Sequence, residues 1–94
     1  FEINPLAMDE VPQTQLTAMV YPNPTVHNVT LLIKEYDFTN LEYLLIDVQG
    51  RIISKEKITQ NETQINMAWL ASAQYYLYLT EGAKKIKSFK IIKN

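Results

Sequence analysis

Ninety-four residues, 47% of them hydrophobic and 20% charged, make one small domain that buries roughly 60–65% of its unfolded surface. A net charge of −1 gives no push toward nucleic acid or acidic membranes, and the lack of cysteine excludes disulfides and thiolate sites. No stretch approaches the roughly 18 apolar residues that read as a membrane-spanning helix.

Residues 1–15, FEINPLAMDEVPQTQ, contain two prolines, three acids and no basic residue. They sustain no apolar period and read as a linker from a preceding cargo domain, with the domain proper at 16–94. The chain opens on Phe1 with no secretory pattern, so the sequence reads as a piece of something longer.

From Leu16 the β signals come at short intervals. LTAMVY (16–21) reads as a short strand that ends at Tyr21-Pro22-Asn23-Pro24. Each proline fixes φ near −65° and lacks an N–H, and each biases the residue before it toward extended geometry. That segment is therefore a rigid corner, excluded from helix and from mid-sheet. NVTLLIK (28–34) alternates, with Val29, Leu31 and Ile33 on one face and Thr30 and Lys34 on the other. EYDFTN (35–40) is a polar connection. LEYLLIDV (41–48) is apolar on both faces, which suits a central strand. Asp47-Val48-Gln49-Gly50 has Asp and Gly where a type I turn favours them, and RIISKEKI (51–58) returns antiparallel from Arg51. TQINM (63–67) alternates again, Ala68–Ala73 reads as a turn, and QYYLYLT (74–80) is rich in β formers. After Glu81-Gly82, KKIKSFKIIK (84–93) closes the chain. About seven short strands at intervals of roughly 8–12 residues form the pattern of an all-β antiparallel sandwich. Val29, Leu31, Ile33, Leu45, Ile65, Leu70 and Leu77 are its expected core.

Catalysis is not expected. The one histidine, His27, reads as an exposed loop residue without a catalytic partner. Glu35 and Asp37 lack calcium-loop spacing, two glycines cannot make a phosphate loop, and no metal or cofactor is expected. Asn28-Val29-Thr30 and Asn61-Glu62-Thr63 match the short N-glycosylation pattern. Trp69, Tyr75, Tyr76 and Tyr78 read as packing residues, with a sugar-binding platform as the alternative. Lys84, Lys85, Lys87, Lys90 and Lys93 fall in the last 11 residues with no acid among them. They suit protection of an edge strand, and equally a basic docking surface.

"VYPNP" (20–24), "VTLLI" (29–33), "IDVQGRII" (46–53), "INMAWLASAQYYLYL" (65–79) and "KKIKSFKIIK" (84–93) occur in an order that resembles the C-terminal sorting domain of the type IX (Por) secretion system of Bacteroidetes. The resemblance covers about residues 19–94. It implies an Ig-like sandwich of seven strands, recognised by the outer-membrane type IX machinery after the parent protein reaches the periplasm. It further implies a covalent cargo upstream; many domains of the family are then removed by a sortase-like protease that joins the cargo to an anionic lipopolysaccharide at the cell surface. Pro22, Asn23, Pro24, Asp47, Gly50, Arg51 and Tyr76 match the family's motifs and turns, and Lys84, Lys85, Lys87, Lys90 and Lys93 are recognition candidates. One departure stands out: the family's usual glycine before the "x-Tyr" of the sixth strand is Gln74, which costs about 1 kcal/mol if the backbone there needs φ > 0. A binding module using Trp69 and the tyrosines, and a passive spacer, are the competing readings.

Overall fold

The computed structural model describes residues 17–34 and 39–94. The expected linker at 1–15, and Glu35 and Asp37, lie outside the described residues. Seven strands run in chain order: β1 Thr17–Tyr21, β2 Asn28–Lys34, β3 Leu41–Asp47, β4 Ile52–Lys57, β5 Glu62–Asn66, β6 Ala73–Glu81 and β7 Lys84–Lys93. They form a three-stranded sheet, β1-β2-β5, and a four-stranded sheet, β4-β3-β6-β7, with every strand pair antiparallel.

Period-two alternation puts one face of each sheet into a shared core. In β2, Val29, Leu31 and Ile33 are all fully buried. They join Ile65 of β5, Leu41, Tyr43 and Leu45 of β3, Tyr75, Leu77 and Leu79 of β6 and Ile91 of β7 in one cluster. Leu70, expected within that core, is half-buried and packs against it. The double-sided apolar character of β3 follows from its place between β4 and β6, where Ile46 is buried on the outer face. Thr30 also lies on the face away from the core, yet it is buried, because Gln64 Nε2 donates to its Oγ1 at 2.8 Å.

Tyr75 closes the turn before β6: its hydroxyl donates to the Ala71 carbonyl at 2.7 Å. A tyrosine near the start of the sixth strand, bonded back to the preceding loop, is the tyrosine corner of immunoglobulin-like sandwiches. Leu77, two residues on, stands where antibody domains carry the second cysteine of their inter-sheet disulfide. Here that position is a fully buried leucine, so apolar packing replaces the crosslink.

Two bulges shape the four-stranded sheet. The β3–β4 register shifts between Leu45 and Ile46, which leaves Ile53 as the extra residue. The β6–β7 register shifts between Leu79 and Thr80, with Ile86 extra and packed against the core. Gln74 pairs with Ile92 inside the β6–β7 ladder. Its backbone is therefore extended, and the anticipated cost of a left-handed conformation does not arise.

Candidate functional site

The proline corner is the loop between β1 and β2, and both of its X-Pro bonds, Tyr21-Pro22 and Asn23-Pro24, are cis. The corner also reaches across to the other sheet. Asn23 Nδ2 donates to the Lys90 carbonyl at 2.7 Å, and the Ile92 N–H donates to Asn23 Oδ1 at 3.0 Å. One side-chain amide thus meets a donor and an acceptor two residues apart on β7, as a neighbouring strand would. The backbone continues the match. Thr25 forms a parallel bridge to Lys93, its N–H donating to the Ile92 carbonyl at 2.9 Å and its carbonyl accepting from the Asn94 N–H at 2.8 Å. The flanking prolines, which have no N–H to offer, leave this pairing to Asn23 and Thr25. His27 is exposed; its carbonyl accepts from the Met67 N–H at 2.8 Å and so ties the corner to the end of β5.

The β3–β4 hairpin is built around Asp47. The Gly50 N–H donates to the Asp47 carbonyl at 3.0 Å, and Gly50 takes φ +84°. A type I turn followed by a left-handed residue is a favoured three-residue hairpin loop, and the left-handed position explains the glycine. Asp47 Oδ1 accepts from the Gln49 and Arg51 N–H groups at 2.9 and 3.0 Å, while Oδ2 takes Arg51 Nε at 2.8 Å. The Arg51 backbone N–H, aided by its guanidinium and the Gln49 N–H, holds the Asp47 carboxyl below its usual pKa of 3.8.

The turn after β5 completes this end of the molecule. The Trp69 indole N–H donates to the Asn66 carbonyl at 3.0 Å, which pins a ring that is 62% exposed. Lys93 Nζ donates to the Leu70 carbonyl at 3.0 Å and joins the end of β7 to that turn. The registers bring everything together: Asp47 pairs with Tyr75, Tyr75 with Ile91, Ala73 with Lys93, and Asn28 with Asn66. The corner, the Asp47 hairpin, the Trp69 turn and the end of β7 therefore occupy one pole of the sandwich.

Residues 19–94 match the family described as Secretion system C-terminal sorting domain, that of the type IX system. The chain belongs to that family. The sorting domain's fold has a second parallel: the crystal structure of domains 3 and 4 of rat CD4 aligns with a TM-score of 0.62 at 13% identity, covering 82% of this chain and 41% of that one. This likeness shows the Ig-like fold and nothing of function. No curated protein matches the chain. Family membership implies a secreted or cell-surface protein. Among the described residues no helix is long and apolar enough to cross a membrane, and no three His, Asp or Glu side chains gather where they could hold a metal ion.

The structure separates the sorting domain's lysines into two groups. Lys84, Lys85, Lys87 and Lys90 are exposed on β7, an edge strand of its sheet. Lys85 Nζ sits 4.2 Å from the centre of the Tyr78 ring, a cation–π contact, and Lys87 Nζ is 5.9 Å from that of Phe89. Lys93 does not belong with them. It was expected as an exposed recognition residue, but it is 7% exposed and its ammonium is spent on the Leu70 carbonyl. It pairs with Ala73 on the face of Ile91, which turns its side chain inward.

The aromatics do not form a platform. Tyr75 is buried, Tyr76 and Tyr78 are half-buried and alternate with it onto the outer face of β6, and Trp69 projects from its turn, near Tyr75 but away from the other two. The packing reading holds for the tyrosines and fails for Trp69, whose ring is mostly solvent-exposed. Sequence reasoning also missed the tyrosine corner and the partner of Asn23. A tyrosine at the start of the sixth strand was the available signal for the first. Nothing local in the sequence signals a contact with β7 nearly seventy residues away.

Proposed function

We propose that this domain is the export signal of a longer protein. It directs cargo joined upstream across the outer membrane through the type IX machinery, after periplasmic transit, and on to the cell surface or the medium. The chain itself carries no catalysis in this reading. The family match over residues 19–94 supports the reading more than any other observation. The geometry agrees with it: the motif residues Asn23, Asp47 and Arg51 lie at one pole, and lysine-rich β7 is an edge strand that ends beside them. The Asn23 bridge joins the first loop to the last strand, so the residues at this pole are held together as one surface.

The test fuses the chain behind a signal peptide and a fluorescent reporter in a bacterium with a type IX system. The reporter is expected outside the cell or on its surface in that host, and in the periplasm of the same strain without its translocon. Equal reporter location in the two strains would overturn the reading.

A further inference from the structure

Exposed apolar side chains are concentrated at the pole described above. Of the seven large ones among the described residues, only Met19 lies away from it; Tyr21, Val26, Val48, Ile52, Trp69 and Ile92 all sit on or beside the proline corner, the Asp47 hairpin, the Trp69 turn or the end of β7. Scattered exposed apolar residues need no explanation, but a cluster at one end marks a contact surface. Within it lies a groove of about 440 Å³ between the hairpin and the Trp69 turn. Ile52, Ile53 and Leu70 give it apolar walls, Trp69 and Tyr75 aromatic ones, and Asp47 and Arg51 a polar end.

Two of these groups are held ready for a ligand. The indole N–H is bound to the Asn66 carbonyl, so the ring is fixed while its surface stays open. Arg51 is anchored through Nε to Asp47, yet its side chain is 74% exposed and its two Nη groups make no hydrogen bond or ion pair among the described residues. Side chains ordered before binding lose less freedom on binding. The free fork of a guanidinium suits a carboxylate, with two parallel N–H donors for two oxygens. Of the Arg51 guanidinium, Asp47 takes only the Nε donor, which leaves both Nη groups to an incoming anion.

We infer that this groove is a docking site for an extended protein segment that presents a carboxylate side chain next to an apolar one. The carboxylate meets the Arg51 Nη groups, and the apolar side chain packs on Trp69 and Ile52. The volume lies within the range of about 300–1,000 Å³ typical of sites for ligands of this size. The lining is mostly apolar, and its one hydroxyl, that of Tyr75, already donates to the Ala71 carbonyl, which favours a peptide's apolar side chain over a sugar. The inference deepens the export reading by giving the partner's chemistry at one surface of the domain.

Trp69 is the single tryptophan, so its emission reports on the groove directly. The full chain is titrated with acetyl-Leu-Asp-Leu-amide and with acetyl-Leu-Lys-Leu-amide. A saturable change with the Asp peptide is expected, at least tenfold weaker with the Lys peptide and at least tenfold weaker in Ile52→Ser. No response to the Asp peptide, or equal responses to both, overturns the inference. A response to an acidic oligosaccharide in place of the peptides also overturns it and favours a sugar-binding module. In the reporter fusion, Ile52→Ser with Trp69→Gln, both exposed residues of the groove, should at least halve export with the melting transition retained, while Met19→Ser, away from the pole, leaves export intact. Normal export by the double variant overturns the groove as a docking site and leaves the export reading standing. Failure of the unaltered fusion overturns the export reading, and the peptide titration then decides the groove by itself.

Discussion

Asn23 and Ile92, 69 residues apart, are joined by a hydrogen bond from the Ile92 N–H to the Asn23 side-chain oxygen at 3.0 Å. The same amide reaches the Lys90 carbonyl, so a single side chain covers part of the outer edge of β7. An open edge strand invites pairing with other chains. Here its last residues are covered by the corner, and the remainder is guarded by exposed lysines. Asn23→Ala should lower stability by about 1–2 kcal/mol for two exposed hydrogen bonds. Hydrogen exchange should speed up at the Ile92 amide and stay slow at Leu77 in the central strand β6. Asn23→Asp keeps an acceptor for Ile92 but sets a carboxylate oxygen against the Lys90 carbonyl, so it should not restore full stability. Unchanged exchange at Ile92 in Asn23→Ala would remove the bridge from the account.

Much of this fold is legible in the sequence, and the reason lies in β2 and β3. Val29, Leu31 and Ile33 alternate cleanly, and the double-sided run from Leu41 to Ile46 marks a strand with neighbours on both sides. Asp47 and Gly50 give the hairpin because local turn chemistry needs little help from distant residues. The pole is less legible. The Asn23–Ile92, Thr25–Lys93 and Lys93–Leu70 contacts depend on the folded chain bringing remote segments together, and no local pattern encodes them. Lys93 shows the difficulty most plainly. By type and spacing it belongs with Lys84, Lys85, Lys87 and Lys90, and only the β7 register with Ala73 turns it inward.

That distinction gives a stability test. Lys84→Glu, Lys85→Glu, Lys87→Glu and Lys90→Glu should each shift stability by only about 0.5 kcal/mol, as for exposed positions. Lys93→Glu would place a carboxylate against the Leu70 carbonyl in a buried setting and should cost several times more, on the order of 1–3 kcal/mol. Chemical denaturation of the five single variants checks this. Equal effects at Lys90 and Lys93 would contradict the inward placement. The combined reversal at Lys84, Lys85, Lys87 and Lys90 should reduce export while the melting transition persists; normal export would leave these lysines as edge protection alone.

Acid should loosen the Asp47 hairpin. The Asp47 pKa is lowered in the folded chain, so the ionised form is the one that folding favours. Its contribution is present above the unfolded value of 3.8 and is lost as pH falls from there through the lower folded value. Asp47→Asn removes the titrating group and turns an amide against Arg51 Nε in at least one rotamer. The variant should be less stable at neutral pH and show a shallower loss of stability on acidification. Parallel pH dependence of the two proteins would contradict the role given to Asp47.

Leu31 is fully buried in β2, and Leu31→Ala should cost about 2–5 kcal/mol. For a domain of this size the upper end of that cost reaches the lower end of the expected stability, about 5–15 kcal/mol. Thermal or urea unfolding measures it, and a cost below about 1 kcal/mol would mean that the core is not packed as described.

The central claim is that the folded domain carries cargo out of the cell. The most direct measurement is the fraction of a reporter found outside a type IX-competent bacterium, compared for the intact chain and for a chain lacking Phe89–Asn94. That deletion removes Phe89 and Ile91 from the core and Ile92 from the Asn23 bridge. The intact fusion is expected mainly outside or on the surface, and the shortened one in the periplasm. Retention of the intact fusion, or equal export of the shortened one, would contradict the claim.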